Sequence, residues 1–368
     1  MTTCWTAGTV VAGDRVLTPG TVTVNGAGFI EEVTPGARPG ATDLGADAVL
    51  APGAVDLHSD AVEKLAEPRP GVRLPFGVAA RALDQRMAGA GVTTAYAALS
   101  LAGDEIGLRE RAATEALADE LRALPHPRVE HRLHLRVEIT DGPSVGAAEK
   151  LVAAGGVALL SVMNHTPGQG QFRTLESYVS FYRRNYAEDE RDLFSRVGIK
   201  VAEAAHLEPR LGRLSAAVRR ARIPLAWHDP DSAETVERAR HHGASIAEFP
   251  TTLEAARATR PAGLAVAMGA PNLLLRRSTS GNLGAVEALA AKALDLLVSD
   301  YYPEAMWPAA LSSGLPLPAA VRLVATTPAR AAGLTDRGRI APGLRADLVA
   351  LRPDGTVVST LVAGRRVS

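Results

Sequence analysis

Residues 52–60 read PGAVDLHSD, an apolar run that ends in two side chains able to bind a metal ion. In a β-strand, side chains at positions i and i+2 point to the same side of the sheet. His58 and Asp60 are therefore expected to project together from the carboxyl end of a buried strand, where α/β barrels place their chemistry. An imidazole and a carboxylate at that position predict a divalent cation and a hydrolytic reaction. Taken alone, the pair also fits an ordinary strand-to-loop turn.

Eight apolar runs, separated by amphipathic helical patterns, occupy the middle of the chain. Near-continuous apolar strands are typical of a parallel sheet that is covered on its outer face. Eight successive βα units match the span of a closed barrel, so we predict an α/β fold, a (β/α)8 TIM-type barrel over residues 51–335. An open, doubly wound sheet is the alternative. The predicted strands are residues 49–60, 91–100, 132–140, 157–165, 223–229, 244–250, 264–271 and 293–300.

Both ends of the chain have the pattern of short β-strands joined by turns. Residues 1–50 contain Asn25-Gly26, a hairpin signal, and residues 336–368 contain Asp354-Gly355 between two apolar runs. The sequence therefore predicts a small flanking β-domain that is built from both termini, 1–50 and 336–368.

The composition narrows the classes of partner. Lys plus Arg and Asp plus Glu both number 40 in 368 residues, so no overall basic field indicates nucleic acid. Cys4 is the only cysteine, which excludes an internal disulfide framework and a thiolate-rich zinc site. No signal-peptide pattern and no run of about 20 apolar residues is present. We expect a cytoplasmic protein that binds neither nucleic acid nor membrane. The sequence leaves its oligomeric state open, including a homo-oligomer.

Other metal-capable side chains lie at the ends of further predicted strands. Imidazole and carboxylate donors suit Zn²⁺, Mn²⁺ or Fe²⁺, and we expect one or two ions. Asp300, at the end of the last predicted strand, is also the expected base for the attacking water. Each residue has a structural alternative: His165 could cap a helix, and Glu138 could be a salt-bridged strand carboxylate. The candidate metal ligands are His58, Asp60, Glu138, His165, His228 and Asp300.

Two cationic segments predict a site for anions. One follows the first strand, and the other is a loop of hydroxyls, glycine and arginines before a helix, as in phosphate-binding loops. A surface loop with exposed arginines is the alternative for the second segment. A polar, aromatic insertion at residues 166–200 has the character of a lid or substrate loop. The candidate substrate-binding residues are Lys64, Arg69, Arg276, Arg277, Ser278, Ser280 and Asn282.

Several motifs together resemble one family. HTPGQ at 165–169, AEFPTT at 247–252 and GAPN at 269–272 are typical of the α-D-ribose 1-methylphosphonate 5-triphosphate diphosphatases, amidohydrolase-superfamily enzymes of the carbon–phosphorus lyase pathway. The resemblance runs from about residue 49 to the C-terminus. It implies hydrolysis of a triphosphorylated, methylphosphonylated sugar to the 5-phosphate and diphosphate. It also implies metal ligation by His58, Asp60, His165, His228 and Asp300.

The chain departs from the family pattern at a few positions. Asn164 stands where the family often has Asp, and Arg276-Arg277 and Thr279 stand where it usually has a glycine pair and a histidine. Most members of the superfamily have His-x-His where this chain has His58-x-Asp60, and a carboxylate there gives a harder site. The alternative function is hydrolysis of a cyclic amide or amidine C–N bond, which needs no anion-binding segments. A non-catalytic metal-binding scaffold is the remaining alternative.

Overall fold

The computed structural model describes residues 2–69, 71–103, 108, 110–186 and 189–368, and three β-sheets organise them. A four-stranded sheet is built from the N-terminal part of the chain, a six-stranded sheet from both ends, and an eight-stranded sheet from the middle. The strands are β1 (Thr3–Ala7), β2 (Thr9–Ala12), β3 (Arg15–Leu17), β4 (Gly20–Val24), β5 (Ile30–Pro35), β6 (Thr42–Asp43), β7 (Val49–Pro52), β8 (Ala54–Ser59), β9 (Val92–Leu101), β10 (Glu130–Glu138), β11 (Leu159–Met163), β12 (Leu225–His228), β13 (Ile246–Glu248), β14 (Ala265–Gly269), β15 (Leu296–Val298), β16 (Leu348–Leu351), β17 (Val357–Val362) and β18 (Arg365–Arg366).

Strands β8 to β15 form the predicted barrel. Each strand pairs in parallel with the next one along the chain, and a parallel bridge between Ser59 and Asp300 joins the last strand to the first. The eight strands lie within or overlap the eight predicted runs, so the (β/α)8 prediction is confirmed and the open sheet is excluded.

Helices follow the barrel strands and cover the outside of the sheet. An insertion between β11 and β12 adds α5 and α6, followed by a 3-10 turn at Glu203–His206. None of the helices in the described part of the chain has the length and hydropathy of a membrane-crossing segment. The helices are α1 (Ala61–Ala66), α2 (Phe76–Gly89), α3 (Arg111–Arg122), α4 (Gly142–Ala153), α5 (Leu175–Tyr186), α6 (Glu190–Ala202), α7 (Leu207–Ala221), α8 (Ala233–His241), α9 (Leu253–Ala262), α10 (Ala270–Leu274), α11 (Ala285–Ala290), α12 (Met306–Leu311), α13 (Leu317–Val324) and α14 (Thr326–Ala331).

The first predicted strand, 49–60, is in fact two strands in different sheets. β7 pairs with β2 and β16 of the flanking six-stranded sheet, whereas β8 pairs with β9 of the barrel. Gly53 joins them, and a Cβ there would lie 2.2 Å from Cγ2 of Thr93. Only glycine therefore lets the chain pass this close to the barrel wall.

On several strands the inward-facing side chains change from apolar to polar towards the carboxyl end. Ile246 lies in an apolar cluster with residues of seven of the strands, and Glu248, two positions on, is the polar end of the same face. In the same way Val298 packs in that cluster, and Asp300 follows it at the rim. The period of two therefore directs polar side chains to the carboxyl ends of the strands.

A buried ionic cluster ties the C-terminal part of the flanking domain to the barrel. Arg337 Nη1 donates to Glu130 Oε2 at 2.6 Å, and Arg345 Nη1 donates to the same oxygen. Burial alone would raise the pKa of Glu130, but Arg337 and Arg345 outweigh it and lower that pKa to about 2. Because Glu130 opens β10, the cluster fixes the start of that strand to the segment that leads into β16.

Replacing Glu130 by glutamine is expected to lower the free energy of unfolding by about 2 kcal/mol at pH 7, allowing for solvent screening. The folded pKa lies below the unfolded value, so the stabilisation is present above pH 5 and is lost as the pH falls towards 2. Urea denaturation of both proteins between pH 3 and pH 8 measures this. Glu149→Gln, which removes an exposed pair with Arg213, serves as the control and should cost under about 0.5 kcal/mol. An E130Q deficit that does not shrink in acid would contradict the assignment.

Candidate metal centre

His58, Asp60 and Asp300 meet at the join between the first and last barrel strands. The pairing of β8 with β9 shifts register between Asp56 and Ser59. Beyond that shift, His58 Nε2 lies 3.4 Å from Asp60 Oδ1. The backbone N–H of Asp300 donates to the His58 carbonyl at 2.9 Å, and that of Asp60 donates to the Asp300 carbonyl at 2.7 Å. One ligand atom from each of the three side chains lies within 4.8 Å of the others.

A second group of donors, His165, His228 and Asp229, lies beside the first. Their ligand atoms are also within 4.8 Å of one another. The rings of His58 and His228 are stacked with centroids 5.7 Å apart, so the two groups are neighbours. Asp229 Oδ2 is buried and accepts no hydrogen bond from the described residues. A buried carboxylate oxygen in that state is suited to binding a cation. The donor set of imidazole nitrogens and carboxylate oxygens fits one or two divalent ions.

Glu248 contacts the Nδ1 atoms of two of these imidazoles. Its Oε1 lies 3.2 Å from His58 Nδ1, and its Oε2 lies 3.3 Å from His228 Nδ1. A proton on each Nδ1 directs the Nε2 lone pairs of His58 and His228 away from Glu248, which is how carboxylates prepare histidines for metal binding. Burial works against ionisation of Glu248, but the surrounding imidazoles His134 and His58 lower its pKa well below the usual value.

The charges around the centre favour a cation. Burial lowers the pKa of His58, but the carboxylates of Glu248 and Asp60 outweigh it and raise that pKa to about 10. Burial raises the pKa of Asp300 to about 7, and the neighbouring Asp60 adds to the effect. Both shifts arise because several carboxylates share a space from which water is largely excluded.

Three strand ends adopt left-handed backbone to position this centre. Asp229, Phe249 and Asp300 have φ values of 51°, 52° and 57°, in the region that favours glycine. Such conformations cost free energy and gather at functional sites. They turn the chain away from the barrel directly after β12, β13 and β15.

Arg136, which the sequence analysis did not select, lies among the candidate ligands. Its Nη1 donates to both carboxylate oxygens of Asp60 at 3.1 Å, and its Nη2 lies 3.1 Å from His228 Nε2. It precedes Glu138 by two residues on β10, so both face the barrel interior. A buried guanidinium beside a metal site can stabilise charge on a phosphoryl group.

Glu138 is placed differently from the other candidate ligands. Its Oε2 lies 3.1 Å from His165 Nδ1, and its Oε1 accepts a hydrogen bond from Thr140 Oγ1 at 2.7 Å. Lys200 of α6 is also buried, with its Nζ 3.5 Å from Glu138 Oε2. Glu138 therefore orients His165 and pairs with a lysine, and it does not join either donor group. His134 also faces inward, with Nε2 2.6 Å from Ser161 Oγ.

A cavity of about 610 Å³ opens over the metal-ligand candidates. Asp60, His228 and Asp300 lie at one part of its wall, together with Arg136. The predicted loop contributes Ser280 and Asn282, and Ser278 Oγ lies 3.3 Å from Ser280 Oγ. The insertion 166–200 contributes residues of α5, so it forms part of the cavity wall.

The four predicted cations, by contrast, are exposed and do not line this cavity. Lys64 lies on the exposed side of α1, whose other side buries Val62 and Ala66. Arg69 lies in the turn after that helix, and Arg276, with φ of 54°, follows α10 together with Arg277. All four residues follow strand ends in sequence, yet none of them belongs to the cavity wall.

Comparison with known proteins places the fold. The chain is similar to the solved N-acetyl-D-glucosamine-6-phosphate deacetylase of Mycobacterium smegmatis, with a TM-score of 0.63, 20% identity and full coverage of both chains. It is also similar to a zinc-bound adenosine deaminase of Xanthomonas campestris, with a TM-score of 0.57 and 15% identity over 99% of this chain and 92% of that one. Residues 309–367 match the model of an amidohydrolase family. The likeness to these structures shows the fold, the family match indicates the amidohydrolase superfamily, and the donor groups fit a metal ion.

A comparison of sequences identifies the family more specifically. The chain is 38% identical over 312 residues to the α-D-ribose 1-methylphosphonate 5-triphosphate diphosphatase of Escherichia coli strain K12, covering 82% of each protein. The chain belongs to this diphosphatase family. The family prediction and the barrel are thus confirmed, while the roles of individual site residues stay predictions.

Proposed function

We propose that this chain hydrolyses α-D-ribose 1-methylphosphonate 5-triphosphate to the 5-phosphate and diphosphate, as a cytoplasmic step of phosphonate breakdown. The observation that carries the proposal is the 38% identity with the Escherichia coli enzyme of that name over 82% of both chains. The cavity supports it, because a cluster of metal-ligand candidates and the Arg136 guanidinium lie in one wall. A neutral cyclic amide would need no such guanidinium.

The residues that would hold Zn²⁺, Mn²⁺ or Fe²⁺ are the two donor groups at the strand ends. A divalent cation there supplies Lewis-acid chemistry, by polarising phosphoryl oxygens and activating water. Glu248 and Glu138 fix the ring orientations of His58, His228 and His165 through contacts to their Nδ1 atoms. The candidate ligands are His58, Asp60, His165, His228 and Asp300, with Asp229 beside them.

Asp300 is the proposed proton acceptor. Its carboxylate lines the cavity and belongs to the same donor group as His58 and Asp60. A water positioned between this group and a phosphorus atom can pass its proton to Asp300 as the new oxygen–phosphorus bond forms, while the phosphoanhydride bond breaks and diphosphate leaves. Arg136 faces the same space and stabilises the negative charge that develops on the phosphoryl and leaving oxygens.

Phosphorus NMR on the triphosphate substrate tests the proposed reaction. We expect diphosphate and the 5-phosphate to appear together in one step, in equal amounts. Successive release of orthophosphate would contradict it. So would hydrolysis of a cyclic amide such as dihydrouracil at a comparable rate without any release of diphosphate from the triphosphate.

A further inference from the structure

The helix α5 presents one face to the cavity. Ser177, Ser180, Phe181 and Arg184 all line the cavity wall. They are spaced at i, i+3, i+4 and i+7, which places them along one side of an α-helix. The insertion therefore contributes a continuous strip of side chains to the site. We call these four residues the α5 strip.

The other side of α5 is fixed by aromatic packing. Tyr178 and Tyr182 are buried with Phe172 and Leu193 in a separate apolar cluster. The ring centroids of Tyr178 and Tyr182 are 4.6 Å apart, and those of Phe172 and Tyr178 are 5.1 Å apart. The α5 strip is thus held toward the cavity by a core of its own.

The charge of the α5 strip differs from that of the metal rim, the part of the cavity wall that carries the candidate metal ligands. Carboxylates line the cavity only at the rim, through Asp60, Asp229 and Asp300, among the described wall residues. Arg136 is already paired with Asp60. Arg184 makes no ion pair with the described residues, and the hydroxyl of Ser180, four residues earlier, is its polar neighbour on the strip. The hydroxyl of Ser177 already donates to the Thr174 carbonyl at 2.7 Å. A guanidinium with a hydroxyl donor is suited to a tetrahedral oxyanion.

The α5 strip also contains an apolar ring next to this cation. Phe181 and Arg184 are three residues apart, so their side chains are neighbours on the helix surface. A methylphosphonate group carries anionic oxygens and a methyl group on the same phosphorus atom. A cation and the Ser180 hydroxyl for the oxygens, with an aromatic ring for the methyl, match both parts of that group.

We propose that the α5 strip is the binding site for the methylphosphonate group at C1 of the substrate, with Arg184 as its main charged contact. The inference rests on the proposed function, because it assigns the triphosphate to the metal rim and leaves the second anionic group for α5. It makes Arg184, and not Arg276 or Arg277, the residue that selects substrates with a phosphonate.

Calorimetric binding of the product to the metal-loaded protein tests this without turnover. The probes are α-D-ribose 1-methylphosphonate 5-phosphate and ribose 5-phosphate, which lacks the phosphonate. Arg184→Met should weaken binding of the first about 10- to 100-fold and leave the second within about threefold. Arg183→Met is the matched control, since Arg183 is the neighbouring arginine, is exposed beside Glu190 and does not line the cavity. It should leave both affinities within about twofold, and Arg184→Lys should recover part of the loss.

Three results would overturn the inference: an unchanged affinity in R184M, an equal loss for both ligands, or no binding of the phosphonate ligand to the wild type. An equal loss would mean that Arg184 contacts the 5-phosphate. Release of diphosphate by the wild type is measured separately. If that release fails while Arg184→Met still weakens binding of the phosphonate ligand alone, the proposed reaction falls and the phosphonate site stands.

Discussion

Replacement of Asp300 by asparagine is expected to lower kcat roughly 1000-fold, the range reported for loss of a general base. The amide keeps the size of the side chain but cannot accept the proton of the attacking water. Substrate affinity, measured by calorimetry on the inactive variant, should stay within about threefold, because the charge is needed chiefly as the water attacks. Metal content measured on the same sample separates loss of the base from loss of the ion.

Asp14→Asn provides the control for D300N. Asp14 is an exposed aspartate of the flanking domain that pairs with Arg322, far along the chain from the rim residues. The control should turn over substrate like the wild type. Near-normal turnover in D300N would show that Asp300 is not the proton acceptor. It would also contradict much of the hydrolytic mechanism proposed for the rim.

Removal of the metal is also expected to have a large effect on turnover. Purified protein should contain about one to two equivalents of Zn, Mn or Fe, since two donor groups lie side by side. Chelation should abolish turnover, and added Mn²⁺ or Zn²⁺ should restore it. Elemental analysis of a His58→Ala, His228→Ala double variant should find less than about 0.2 ions per chain, because the two donor groups each lose an imidazole.

His241→Ala is the matched histidine control, because His241 is exposed at the end of α8. It should keep the full metal content. A wild-type protein with less than about 0.2 ions per chain, unchanged after incubation with Mn²⁺ or Zn²⁺, would show that the rim donors do not form a metal site.

The parts of the fold that repeat along the chain were accessible from sequence. Apolar runs with helical segments between them predicted eight parallel strands, because burial on both faces imposes a continuous apolar pattern. The period of two also brought His58 and Asp60 to one side, as the 3.4 Å contact between them shows. The split at Gly53 was missed because two adjoining buried strands read as a single apolar run.

The polar groups inside the barrel were harder to find. Arg136 and Glu248 lie in or at the end of predicted strands, yet a period of two does not say which of the two faces is the inner one. Their roles depend on partners that are distant in sequence, such as the 190 positions between His58 and Glu248. The loop cations failed to reach the cavity for a related reason, since a long side chain after a turn can leave on either side.

The lysine beneath the rim limits how this enzyme can be re-engineered. The insertion that brings Arg184 to the cavity continues into α6, whose Lys200 reaches Glu138, and Glu138 in turn holds His165. Grafting the insertion of a relative onto this barrel would thus exchange the proposed specificity element and a support of the candidate metal ligands in one operation. Loop shuffling here should succeed only when positions 138 and 200 are transferred as a pair, so the insertion is not an independent cassette.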